Sequence, residues 1–184
     1  LSTYNLVDFS YKLIYSASID LAKLIKLLIL DMLRYLRIGW LLSLKKTIAL
    51  QPDFSDAHCI LGMTLHDLGK LDEAEQGYRQ AISLKPDYVV AHCGLGTTLK
   101  DLGRLDEAEV ICRQALILEP DIANVYYTLG IILYGKGDID SAITSIERAN
   151  HIDPESGSYS FLLSVLQARK LQKTSEVSAA NKKN

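Results

Sequence analysis

The sequence is poor in the features that mark several common classes of protein. Three cysteines are an odd number and too few for a disulfide framework, which points to a reducing, cytoplasmic setting. Long apolar runs are also missing. Lys23, Lys26, Asp31, Arg34 and Arg37 interrupt the apolar N-terminal stretch. Its longest uncharged run there, Ile38 to Leu44, falls far short of the roughly 20 residues of a membrane span. The same interruptions deny it the unbroken core of a signal peptide. No phosphate loop, metalloprotease signature or nucleophile elbow occurs. An initial methionine is absent too: the chain begins at Leu1 and its first methionine is Met32, as expected of a fragment or of a frame opening upstream of the true start.

Net charge is low, −2 over 184 residues, but unevenly spread. Lys and Arg against Asp and Glu number 7 to 3 in residues 1–51, 8 to 18 in 52–167 and 5 to 1 in 168–184. The acidic middle is ill suited to a phosphate backbone, whose binding needs Lys and Arg. Nucleic acid is therefore not an expected partner, and a basic protein segment is.

Only four prolines are present, and their placement is the strongest signal in the chain. Pro52, Pro86, Pro120 and Pro154 follow one another at intervals of 34 residues, the mark of a repeat architecture. The block from Pro52 to Lys85 matches that from Pro86 to Glu119 at 21 of 34 positions, and Pro120 to Asp153 keeps the same skeleton. Each block reads as two helices. The first, Ser55 to Leu68, places Ala57, Leu61, Gly62 and Leu65 on one face and stops at Gly69, like its counterparts at Gly103 and Gly137. The second is expected to begin near Asp72, Asp106 or Asp140 as caps, with Glu75 and Glu109 as capping-box partners. It turns Ala74, Tyr78, Ala81 and Leu84 inward and ends before proline. Gly62, Gly96 and Gly130 are expected to face Ala74, Ala108 and Ala142 at a close helix crossing.

These residues resemble the tetratricopeptide (TPR) consensus. The first block carries Leu61, Gly62, Leu65, Ala74, Tyr78, Ala81 and Pro86; the second Leu95, Gly96, Leu99, Ala108, Cys112, Ala115 and Pro120; the third Leu129, Gly130, Leu133, Ala142, Ile146, Ala149 and Pro154. His58, His92 and Tyr126 stand where the consensus has tryptophan. The resemblance implies an all-α fold, a TPR α-solenoid of antiparallel helix pairs in a right-handed superhelix, with the first helices lining a concave groove. The units fall at 52–85, 86–119 and 120–153. The wording of the repeats is also similar to arrays ahead of glycosyltransferase or sulfotransferase domains, which gives a second reading as a substrate-recruiting fragment of such an enzyme.

The flanks are read more coarsely. Residues 1–51 are expected to form an N-terminal helical segment ending in a degenerate half-repeat. Lys23, Lys26, Arg34 and Arg37 share a helical face of about 80°. Contact of residues 21–44 with a membrane surface is weighed against a capping segment packed on the first repeat, and the capping segment is favoured. Tyr159, Leu162, Leu163 and Leu166 predict a capping helix over 154–172 with a polar outer side, followed by a disordered polar tail over 173–184.

His58-Cys59 and His92-Cys93 invite a metal, but adjacent helical residues point about 100° apart and a structural zinc site needs about four convergent ligands. Neither a metal nor a cofactor is expected. Asp72-Glu73 and Asp106-Glu107 sit at helix starts, where negative charge favours the helix dipole. No catalytic residue is assigned, and the chain is read as a non-enzyme.

By resemblance the groove is lined by Asp56, Cys59, Met63, His66 and Asp67 from the first unit. Val90, Cys93, Thr97, Lys100 and Asp101 come from the second, and Asn124, Tyr127, Ile131 and Tyr134 from the third. TPR domains that grip chaperone C-termini carry Lys, Asn and Arg where this chain has Cys59, Met63, Cys93, Tyr127 and Ile131. Glycosyltransferase arrays carry an asparagine ladder where it has Ile60, Gly94 and Thr128. The expected function is a protein–protein interaction scaffold binding a peptide or protein segment, with self-association through the end helices as a third alternative.

Overall fold

The computed structural model describes residues 21, 23, 25, 26 and 39–181 and divides into two compact units, Leu1–Lys46 and Thr47–Asn184. In the first unit Leu21, Lys23, Ile25 and Lys26 are helical and exposed, and residues 39–46 are helical. Arg34 and Arg37, on which the basic face depends, lie outside the described residues. The second unit carries the repeats. After helical residues 47–50 it holds α1 (Ser55–Asp67), α2 (Leu71–Leu84), α3 (Val89–Asp101), α4 (Leu105–Leu118), α5 (Ala123–Gly135), α6 (Ile139–Ile152) and α7 (Gly157–Asn181).

Glycine ends the first helix of every pair. Gly69, Gly103 and Gly137 have φ of 73°, 77° and 86°, a region that a side chain disfavours. The following N–H then folds back on the helix. Lys70 N donates to the Leu65 carbonyl and Gly69 N to that of His66, at 2.9 and 2.8 Å, and the same two bonds recur in the next two units. This is the Schellman closure. It reverses the chain within a few residues and sets the antiparallel pair.

The second helices start differently from expectation. Their N-caps are Lys70, Arg104 and Asp138, two residues earlier than the aspartates named from the sequence. Lys70 and Arg104 make no side-chain cap. Asp72 and Asp106 lie inside the first turn, where their charge opposes the helix dipole's positive end. Only Asp138 caps, accepting a hydrogen bond from Ser141 N at 3.1 Å; the Ser141 side chain first, and this N–H second, hold its carboxyl below the usual range.

Glu75 and Glu109 are not capping-box residues either; they join neighbouring repeats. Glu75 receives Arg79 from its own helix at 2.9 Å and Arg104 from the next unit at 2.6 Å. Glu109 receives Arg113 at 2.8 Å and Lys136 at 2.7 Å. The distant cation wins because a buried-side carboxylate gains more from a full charge than from one backbone N–H. Lys136 also reaches Asp106 at 2.6 Å, and one repeat on, Lys170 of α7 meets Asp140.

The crossing within each pair is made by the glycines named above, but against a different partner. A Cβ on Gly62 would meet the Tyr78 ring at 3.0 Å, and one on Gly96 would meet Cys112 Sγ at 2.8 Å. On Gly130 it would strike Ile146, with the Ala142 carbonyl oxygen at 3.3 Å. The closest approach therefore falls one turn beyond Ala74, Ala108 and Ala142, which are fully buried beside it. Successive pairs then stack: each helix packs on the next in sequence, and α1 touches α3 as α3 touches α5.

In the repeat register, α7 is the first helix of a fourth unit. It buries Tyr159 and Leu166 against the stack. The stop signal, however, is missing, because Leu171 stands where the other units have glycine. The helix accordingly continues through residues 173–181, where a disordered tail was expected. Its outer side is not uniformly polar, since Phe161, Val165 and Leu171 are exposed. Among the described residues no helix is long and apolar enough to cross a membrane.

Candidate binding groove

The face shared by α1, α3 and α5 holds a pocket of about 360 Å³. Met63 and His66 contribute from α1; Val90, Cys93, Gly94 and Thr97 from α3; Asn124, Tyr127 and Thr128 from α5. Three successive first helices thus meet in one concavity, because their spacing repeats every 34 residues while the side chains differ. Its floor comes from elsewhere: Tyr78 of α2 completes the lining.

Tyr78 reaches the groove through two glycines. Its ring lies on Gly62, and its outer edge passes under Gly94 of the next unit, where a Cβ would stand 2.8 Å from the hydroxyl oxygen. The residue is 3% exposed. Burial pushes its hydroxyl pKa up, with the Cys59 and Asp67 charges adding to the shift. Tyr78, Gly94 and Thr128 were not among the residues expected to line the groove. A glycine in the middle of a helix, at a cost in helix stability, is the signal that could have found the path.

Of the expected lining, Met63, His66, Val90, Cys93, Thr97, Asn124 and Tyr127 meet in this pocket. Cys59 does not: it is buried, 1% exposed, beneath the groove surface. Burial raises its thiol pKa, and Tyr88 of the next unit hydrogen-bonds to it. Tyr88 in turn bonds Asp56, so that exposed carboxylate is already engaged. Asp101 is engaged as well, by His66 and Lys100, both at 3.0 Å. Asp67 is exposed and Ile131 half-buried, and neither lines the pocket. Tyr134 lies two turns further along α5, in a separate pocket with Ile139 of α6 and Arg169, Gln172 and Lys173 of α7. Tyr127 and Tyr134 therefore line different pockets.

The C-terminal end of the groove is closed by α7. Tyr159 packs its ring on Tyr127 with centroids 5.1 Å apart and donates a hydrogen bond to Asn124 Oδ1 at 2.6 Å. His58 and His92 bond to backbone carbonyls rather than to the cysteines beside them in sequence. His58 Nε2 lies 2.8 Å from the Pro52 carbonyl, and His92 Nδ1 lies 3.1 Å from that of Tyr88. Cys93, half-buried in the wall, has its thiol pushed up to about 11 by burial, with the Glu119 charge adding to it. Among the described residues no three His, Cys, Asp or Glu side chains converge as metal ligands.

Comparison with known proteins bears on the fold. Three repeat-family models match: a TPR repeat over residues 62–103, and tetratricopeptide repeats over 43–76 and 99–166. No curated protein matches the chain. Among solved structures, MamA from Desulfovibrio magneticus RS-1, residue 41 to the end, superposes with a TM-score of 0.70 at 21% identity, covering 79% of this chain and 82% of that one. The first TPR of Spaghetti (RPAP3), bound to the HSP90 peptide SRMEEVD, gives 0.62 at 19% identity over 64% of this chain and 93% of that one. Identities this low speak for architecture alone. With the repeat models they agree on one: over residues 43–166 the chain is a tetratricopeptide-repeat α-solenoid.

Proposed function

We propose that the chain is a non-catalytic interaction scaffold whose groove holds a segment of another protein. The observation that carries this is the pocket to which α1, α3 and α5 all contribute, with apolar Met63, Val90 and Tyr127 beside polar Thr97, Asn124 and Thr128. A concave, mostly apolar site with a few polar groups suits a peptide segment anchored by side chains. The Spaghetti repeat, in its structure, holds a peptide with an acidic end. This groove favours a different charge. Lys100 is occupied by Asp101, and the surrounding Asp56, Asp67 and Glu119 favour a neutral or basic segment.

The test is a Thr97→Arg substitution at the centre of the pocket. Peptides selected on the full chain from a displayed random library should lose about tenfold or more in affinity for this variant, while thermal unfolding stays unchanged. Equal binding by both proteins would remove the groove from the reading.

A further inference from the structure

α7 sits on the stack as the earlier first helices do. Tyr159 is buried where they bury Ala57, Ala91 and Val125, and Leu166 where they bury Thr98 and Ile132. The same orientation turns Phe161 and Val165 to the groove side, at the positions that Tyr127 and Ile131 hold on α5. Phe161 is 70% exposed and Val165 42%. Tyr159 closes the pocket at Tyr127, and beyond it these two side chains place an apolar patch on the same face.

That patch is not a core left unfinished for want of a second helix. The face that would receive such a helix is polar. Exposed Gln167 stands where Leu65, Leu99 and Leu133 are buried, and exposed Ser164 where Gly62, Gly96 and Gly130 make the crossing. Leu163 alone keeps its apolar character there, half-buried. So α7 caps the array toward solvent on one side and stays apolar on the groove side. Charge changes along the same face. One groove position reads Asp67, Asp101, Gly135 and Arg169 through the four units, and its sign reverses at the last helix. Arg169 and Lys173, one turn apart, line a hollow of about 360 Å³ with Tyr134 and Ile139. Glu176 borders it too, its carboxylate accepting from Gln172 at 3.0 Å. Among the described residues neither cation pairs with a carboxylate; Arg169 donates to Gln172 Oε1 at 3.2 Å.

We propose that the groove continues onto α7 as a second subsite, where Phe161 and Val165 take an apolar side chain of the bound segment and Arg169 with Lys173 take an acidic one. The proposal rests on the groove reading above and deepens it by giving the segment a direction. Asp67 and Asp101 favour neutral or basic residues over the first two units, whereas the cations of α7 favour an acidic end. Val165 and Phe161 precede Arg169 by four and eight residues, about 6 and 12 Å along a helix. An extended chain crosses that span in about two to four residues.

The experiment uses the full chain and random peptides displayed on phage, with the selected peptides then synthesised. They should carry an apolar residue followed about two to four positions later by Asp or Glu. Phe161→Ser with Val165→Thr changes only exposed side chains, so this variant should unfold like wild type while the peptides lose about tenfold in affinity. Arg169→Asp restores the acid of the earlier units. It should weaken the same peptides about tenfold, and exchanging their acid for lysine should recover affinity for this variant. Peptides that lose affinity with Thr97→Arg but with neither α7 variant overturn the subsite and leave the groove standing. Loss without rescue by the charge exchange overturns the subsite too. Peptides that depend on α7 but not on Thr97 overturn the groove reading and with it the continuation. Self-association of the wild-type chain in sedimentation, abolished by Phe161→Ser with Val165→Thr, would give the face to a second copy and overturn the subsite. A library yielding no peptide sensitive to any of the three variants overturns both readings.

Discussion

Glu75 and Arg104 meet at 2.6 Å across the boundary between the first two repeats, and Arg79 closes on the same carboxylate at 2.9 Å. Burial pushes the Glu75 carboxyl up, but the two guanidiniums outweigh it and hold it below the usual range. A carboxyl lowered on folding contributes stability that is complete above its unfolded value of about 4.3 and is lost as pH falls through the folded one. Glu75→Gln should therefore lower the unfolding free energy read from urea titration at neutral pH, by about 1 kcal/mol or less. The difference from wild type should vanish in acid below the usual carboxylate range. A difference that persisted there would mean that Glu75 acts through packing.

Gly96 should not tolerate a large side chain. Its Cβ would stand 2.8 Å from Cys112 Sγ, so Gly96→Leu should overpack the α3–α4 crossing and cost about 1–3 kcal/mol or more. Calorimetry reads this directly, and an unchanged midpoint would contradict the crossing.

Leu171→Gly restores the stop that the other three units possess. The variant should close α7 with a Schellman turn and release residues 173–181, lowering far-UV helicity and speeding amide exchange in that segment alone. If exchange there is already fast in the wild-type chain, the long helix is not populated.

The thiols should separate by pH and by unfolding. Cys93, pushed up to about 11, is protonated near neutrality and should gain reactivity toward a disulfide reagent only as pH rises toward that value. Cys59 and Cys112 are buried, about 1% exposed, and should react only when the chain unfolds. Native-state labelling of Cys59 alongside Cys93 would return Cys59 to the groove surface.

The fold is legible in the sequence where one residue decides one backbone event. Gly69, Gly103 and Gly137 each close a helix through their own torsion angles, and the prolines each end the following one. Partnerships between repeats are harder to read. Glu75 looks like a capping-box residue until Arg104, 29 positions on, arrives beside it. Tyr78 looks like core, and only the stacked structure shows its edge emerging beneath Gly94. Cys59 has the spacing of a groove residue, but Tyr88 from the next unit covers its face. In α7 the sign is an absence, the missing glycine at 171, which a search for positive motifs passes over.

The first two junctions between repeats each contain a sheltered acid, alongside open ones such as Asp106 at 90% exposed, whereas the ion pair that joins α7 has an open acid alone. The side chains of Glu75 and Glu109 are 13% and 17% exposed, whereas Asp140, which meets Lys170, is 76% exposed. Added salt screens an open pair far more than a sheltered one. Raising ionic strength should therefore not loosen the stack evenly. It should peel the last helix away first, taking Tyr159 off Tyr127 and opening the groove at one end, while the first two repeats stay locked. The solenoid unravels with a direction, and that direction is written in how far each junction stands out of the protein.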